Sequence, residues 1–82
     1  MKSYAVRDVK SASYANPFFS PNNQTATRAF AMEVNRQDAQ NLLYTNHADF
    51  QLYYVGDFNP DTGVLSGKEP EYLTDGTAVL RQ

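Results

Sequence analysis

The chain has 82 residues, no cysteine, one histidine and a formal charge of −2. A chain this short holds one small core, worth roughly 3 to 5 kcal/mol of net stability, and without cysteine it has no disulfide or thiolate zinc site to reinforce it. Residues 1–82 therefore read as a single domain for which self-association is expected, and the acidic balance argues against a binder that works through bulk positive charge.

In chain order, "KSYAVRDV" is rich in β-branched and aromatic residues with nothing to break a strand, so residues 2–9 are predicted as a first strand. Tyr4 and Val6 would share one face, and Ala5, Arg7 and Val9 the other; apolar residues on both faces favour an inner strand. Residues 10–21 read as an aromatic loop, because Pro17 and Pro21 force the residues before them out of helical geometry. Tyr14, Phe18 and Phe19 in that loop are expensive to leave in water, at roughly 1.5 to 3 kcal/mol per large side chain. Core packing, a subunit interface and stacking on a ligand are all open to them.

From an Asn22 or Asn23 cap, residues 23–37 are predicted as an amphipathic helix with Ala26, Ala29, Phe30 and Val34 on one stripe. Phe30, Met32 and Val34 also alternate as a strand would, but the alanines and the cap favour the helix. Residues 51–66 read as a β-hairpin around "NPDTG", where Asn59 opens the turn, Pro60 presets φ and Gly63 takes the left-handed conformation. Gly67, Pro70 and Gly76 punctuate the remaining segment, predicting a short strand near Tyr72 and a loosely held tail over residues 76–82. The order of elements implies an α+β fold: a small, mostly antiparallel sheet of three to four strands packed against one helix.

Catalytic chemistry finds little support. Asp49, Asp57 and Asp61 are spaced as strand and turn residues, with no sign that they converge as an acid and base pair must. A lone His47 and no cysteine leave no His/Cys metal cluster or Cys–His nucleophile within one chain, and the four glycines are too scattered for a phosphate loop. The expectation is no enzyme, no catalytic residue, no metal and no cofactor. No apolar run reaches the length of a signal peptide or membrane span, so the protein is expected to stay where it is made, away from membranes.

The distribution of charge is more informative than its sum. Up to Arg36 there are five basic residues and two acids; from Gln37 onward there are two basic residues and seven acids. Binders of single-stranded nucleic acid combine cations that track phosphates with aromatics that stack on bases. Arg7, Lys10 and Arg28 are the candidates for the first role, and Tyr14, Phe18 and Phe19 for the second.

Four segments together resemble a known family: "MKSYAVRDVKSASY", "NPFFSPNN", "ATRAFAMEVN" and "HADFQLYYVGDFNPDTGVL". In this order they are similar to the small non-structural protein of gokushovirus-type microviruses, tailless phages with circular single-stranded DNA. The likeness fades after Gly67, and Ala48 stands where that family usually has proline. The resemblance implies a non-enzymatic accessory protein in the cytoplasm of the infected bacterial host. Its role would lie in the switch from genome replication to packaging of single-stranded DNA, with direct DNA contact. The alternative is a protein-interaction module that docks on a replication initiator, a host helicase or a procapsid.

Overall fold

The computed structural model describes residues 1–81. It has the expected α+β architecture, with an antiparallel sheet covered on one face by helices. The strands are β1 (Lys2–Asp8), β2 (Ser13–Tyr14), β3 (Phe18–Ser20), β4 (Phe50–Phe58) and β5 (Leu65–Asp75), and the helices are α1 (Asn23–Val34), α2 (Leu42–Thr45) and α3 (Gly76–Val79). β1 is internal, with β4 along one side and β2 and β3 sharing the other, while β5 forms the far edge against β4.

Residues 10–21, expected as a loop, contain both short strands. β2 returns on the end of β1, with Arg7 opposite Tyr14, and β3 pairs with its start, with Ser3 opposite Phe19 and Tyr4 opposite Phe18. Between them Pro17 has no N–H to give the ladder, so the chain lifts away and comes back. The loop aromatics are thereby fixed in sheet register, on alternating faces.

Helix α1 starts where the cap residues predict, the Asn22 side chain accepting from Thr25 N at 2.8 Å. It stops at Val34, short of residue 37, because Asn35 Nδ2 donates to both Ala31 O at 2.7 Å and Val79 O at 2.9 Å. The asparagine ends one helix and ties down another. Ala26, Phe30 and Val34 form the buried stripe and meet Tyr4 and Leu52 of the sheet, all nearly inaccessible to solvent. Val6, Phe18, Leu43, Phe50, Tyr54, Leu73, Val79 and Leu80 pack around this core, and the Tyr4 hydroxyl is satisfied by Asn23 Oδ1 at 2.7 Å.

The turn follows its sequence signature: Asn59 Oδ1 accepts from Asp61 N at 2.9 Å, and Gly63 takes φ 77°. Its second strand is far longer than the expected end at residue 66. β5 passes Pro70 by bulging: Gly56 pairs with Gly67 and Tyr54 with Glu71, leaving Lys68, Glu69 and Pro70 opposite Val55 alone. The missing proline N–H falls where no ladder bond is due.

The tail, expected to be loosely held over residues 76–82, is docked over residues 76–81, and residue 82 lies outside the described residues. Asp75 caps α3 by accepting from Ala78 N at 2.8 Å, and Asn35 Oδ1 accepts from Arg81 N at 2.7 Å. Gly76 is buried so closely on the turn at His47 that a Cβ there would lie 2.0 Å from the His47 carbonyl oxygen. Only glycine allows that approach.

Candidate nucleic-acid interface

Strand alternation sends Tyr4 and Val6 into the helix layer and Ser3, Ala5 and Arg7 to the opposite face. Ser3 and Ala5 are buried on that second face, but the main core cluster and the helices lie on the first. Register then assembles a row. Tyr14 sits opposite Arg7, Tyr53 opposite Ala5, and Tyr72 opposite Tyr53, so the three tyrosines cross the sheet from β2 to β5. Tyr14 and Tyr53 have ring centroids 5.4 Å apart at an interplanar angle of 76°, and Tyr53 and Tyr72 are 5.9 Å apart at 83°. Edge-to-face contact of this kind is favourable beyond burial alone, at roughly 0.5 to 1.5 kcal/mol a pair. Tyr14 remains 42% and Tyr72 48% exposed, so the row holds its shape and still presents aromatic surface to solvent.

Hydrogen bonds within the sheet fix two of the rings. The Tyr53 hydroxyl donates to Gln51 Oε1 at 2.9 Å, and the Tyr72 hydroxyl donates to the Asp75 carboxylate. That bond raises the Tyr72 phenol above its ordinary value, and with the α3 backbone N–H groups it holds the Asp75 carboxyl below the usual carboxylate range. Arg7 completes the row, its guanidinium 5.5 Å from the Tyr14 ring centroid. Arg7 Nε is buried without a partner. The ion pairs among the described residues lie elsewhere: Arg36 with Glu33 at 2.7 Å and with Asp38 at 3.1 Å, and Lys68 with Glu71 at 3.2 Å. No carboxylate among the described residues neutralises Arg7 beside the aromatic row.

The six residues singled out from sequence divide between the two faces. Arg7 and Tyr14 are in contact, and Lys10 lies exposed in the turn between β1 and β2, beside them. Phe19 is on the same face at the other end, 48% exposed and 5.6 Å from the Phe58 ring. Phe18 points the other way, packing on Tyr4 at 5.8 Å within the core layer. Arg28 is exposed on α1, across the sheet from the tyrosine row. Tyr53, Tyr72 and Gln51 escaped the sequence reading. Alternation in "QLYYVGDF" already separates Gln51 and Tyr53 from Leu52 and Tyr54, but Tyr72 could not be placed beside Tyr53 without the bulge at Pro70.

The helix side has its own tyrosine set among charged neighbours. Tyr54 lies between Lys2 Nζ at 4.9 Å and Lys68 Nζ at 4.5 Å, and its hydroxyl donates to both Asp57 oxygens at 2.8 Å. That bond to Asp57, with desolvation and nearby negative charge, pushes the phenol up to about 12. Here cations and anions balance locally. Asp57 is engaged in this cluster, Asp61 sits in the turn, and no group of three or more His, Cys, Asp or Glu side chains placed to hold a metal occurs among the described residues. His47 Nδ1 lies 3.2 Å from the Tyr44 carbonyl, within the connection between α2 and β4. No helix among the described residues is long and apolar enough to cross a membrane.

Fold and surface together define a small α+β platform: one sheet, helices on one side, and an uncovered row of aromatics beside an unpaired arginine on the other. The chain belongs to the Phage ORF5 protein family, whose model matches residues 1–79 and so takes in every element from β1 to α3. It is a phage protein. No curated protein and no solved structure matches it.

Proposed function

We propose that this phage protein is a non-enzymatic accessory protein that binds single-stranded DNA across the uncovered face of its sheet. It would act in the infected cell's cytoplasm, in the switch from genome replication to packaging of single strands, as the resemblance to gokushovirus-type non-structural proteins implies. The observation that carries this reading is the Tyr14, Tyr53 and Tyr72 row beside an unpaired Arg7. Single strands are held by this combination, since each base has a face to stack and each phosphate a charge to meet. Lys10 extends the cationic end. Phe19 is a stacking group at the far end of the same face, whereas Phe18 packs in the core layer and Arg28 lies exposed on α1, on the other side of the sheet. The net charge of −2 fits a binder that depends on a local patch and loosens in salt.

Fluorescence anisotropy with a labelled oligonucleotide tests this. Affinity is expected to fall with salt at a log–log slope of about −0.7 per phosphate neutralised, and Arg7→Ala is expected to reduce that slope by about one such unit. Tyr53→Ala is expected to weaken binding by about 1 to 3 kcal/mol, the usual worth of one stacked base. Affinity indifferent to salt and to both substitutions would remove the site from this face.

A second reading rests on a different part of the same surface. Met1, Phe19 and Leu65 are largely exposed and cluster with Phe58 at the hairpin end, an apolar patch that suits a protein partner better than a phosphate chain. Self-association, or docking on a replication initiator, a host helicase or a procapsid, would use it. Light scattering with and without oligonucleotide separates the two: DNA-free oligomers lost on Phe19→Ser favour the protein contact.

A further inference from the structure

We propose that Gln51 biases the open face against adenine, an inference that rests on the single-strand site above and assigns its base preference. Gln51 lies on β4 between Arg7 of β1 and Asp75 of β5, two residues from Tyr53 on the same face. An unengaged glutamine amide reads adenine with both of its ends: the oxygen accepts from N6–H and the nitrogen donates to N7. In this sheet one of the oxygen's two lone pairs is taken, since Gln51 Oε1 accepts the Tyr53 hydroxyl at 2.9 Å. What Gln51 offers a ligand is weighted toward the pair of donors on Nε2, against one remaining acceptor site whose oxygen the Tyr53 hydroxyl already holds.

Its neighbours deepen the bias. Arg7 carries only donors. The carboxylate on the other side, Asp75, is engaged by the Tyr72 hydroxyl and by Ala78 N. A base stacked on Tyr53 therefore meets an edge of donors. Thymine brings two carbonyl oxygens to such an edge and guanine brings its O6 and N7 pair, whereas the exocyclic amine of adenine is a donor that competes with the Tyr53 and Tyr72 hydroxyls for the acceptors there. Tyr53 has two roles in this arrangement: its ring stacks on the base, and its hydroxyl decides which end of Gln51 is the freer to meet a ligand.

The two roles separate in one substitution. Tyr53→Phe keeps the ring and releases Gln51 Oε1. Anisotropy titrations with oligo(dT) and oligo(dA) of equal length give an affinity ratio for each protein, and the change in that ratio between variants cancels the stronger self-stacking of oligo(dA). Tyr53→Phe is expected to lower the dT to dA ratio by about two- to tenfold, the range of one net hydrogen bond. Gln51→Ala is expected to lower the ratio similarly by removing the donors, and thermal unfolding confirms that each variant is folded. A ratio unchanged in both folded variants, while the unsubstituted protein binds oligo(dT), overturns the role of Gln51 and leaves the site standing. Failure of the unsubstituted protein to bind either oligonucleotide overturns the site, and the base preference with it.

Discussion

The two faces of this sheet are built from nearly the same residue types and do opposite things. On the covered face Tyr4, Phe18 and Tyr54 stand among Leu52, Val6 and the helix side chains Phe30 and Val34, and Tyr4 sends its hydroxyl up into the helix layer at Asn23. On the open face Tyr14, Tyr53 and Tyr72 touch mainly one another, and the hydroxyls of Tyr53 and Tyr72 are satisfied inside the sheet by Gln51 and Asp75. Aromatic content does not distinguish core from surface. What distinguishes them is where the polar end of each ring finds its partner, and whether aliphatic side chains fill the space between rings.

The sharpest test uses neighbours in sequence. Leu52 and Tyr53 are adjacent on β4 but face opposite ways, Leu52 wholly buried. Leu52→Ala is expected to cost about 2 to 5 kcal/mol, comparable to the whole net stability of so small a domain, so circular dichroism should find it largely unfolded. Tyr53→Ala loses two edge-to-face pairs worth roughly 1 to 3 kcal/mol together and is expected to lose less than Leu52→Ala and stay largely folded. Equal losses in the two variants would break the distinction between the faces.

Gly76→Ala sharpens the same distinction from the helix side. The added methyl would meet backbone at the His47 carbonyl, which cannot rotate aside, so the turn and α3 must part. Overpacking of this kind costs about 1 to 3 kcal/mol. Urea unfolding should register that loss, while the folded protein keeps its oligonucleotide affinity, because Tyr14 on the opposite edge strand β2 and Arg7 on the internal β1 lie away from β5. A fall in affinity equal to that of Tyr53→Ala would mean that the faces are coupled.

Much of the covered face was legible from residue order alone. The stripe of Ala26, Phe30 and Val34, the Asn22 cap and the Asn59 to Gly63 turn each depend on spacing within a few residues and stand where spacing puts them, though Ala29, expected on the same stripe, is exposed. The open face depends on pairings between distant segments. Tyr14 reaches Tyr53 only because residues 10–21 fold into two strands along β1, and Tyr72 reaches it only because β5 bulges past Pro70. Proline and glycine in those segments read locally as breaks. The sheet tolerates them at positions where a ladder bond is not required, which no local pattern reveals. Asn35 is the same lesson at the helix end: its side chain bonds to Val79, 44 residues away, and so anchors a tail whose own sequence promises little order.

Asp75 is where the two faces meet, and it supplies the smallest and most specific test. Its carboxylate receives the Tyr72 hydroxyl from the open face and the Ala78 N–H from α3 on the covered side. Both bonds favour the charged form, which holds the group below the usual carboxylate range. A folded-state value depressed in this way stabilises the fold fully above the ordinary carboxylate pKa, and the contribution fades as pH falls toward and through the depressed value. Asp75→Asn is therefore expected to lose a few tenths to about 1 kcal/mol near neutral pH, the scale of a helix cap, with the gap between variant and parent narrowing as the solution is acidified. Paired urea titrations at about pH 7 and about pH 3 measure that gap, the lower value chosen to lie below the ordinary carboxylate pKa. A gap of constant size would mean that Asp75 acts through shape alone. A gap that closes, with oligonucleotide affinity at neutral pH also reduced in Asp75→Asn, would identify this carboxylate as the link through which the helix layer steadies Tyr72.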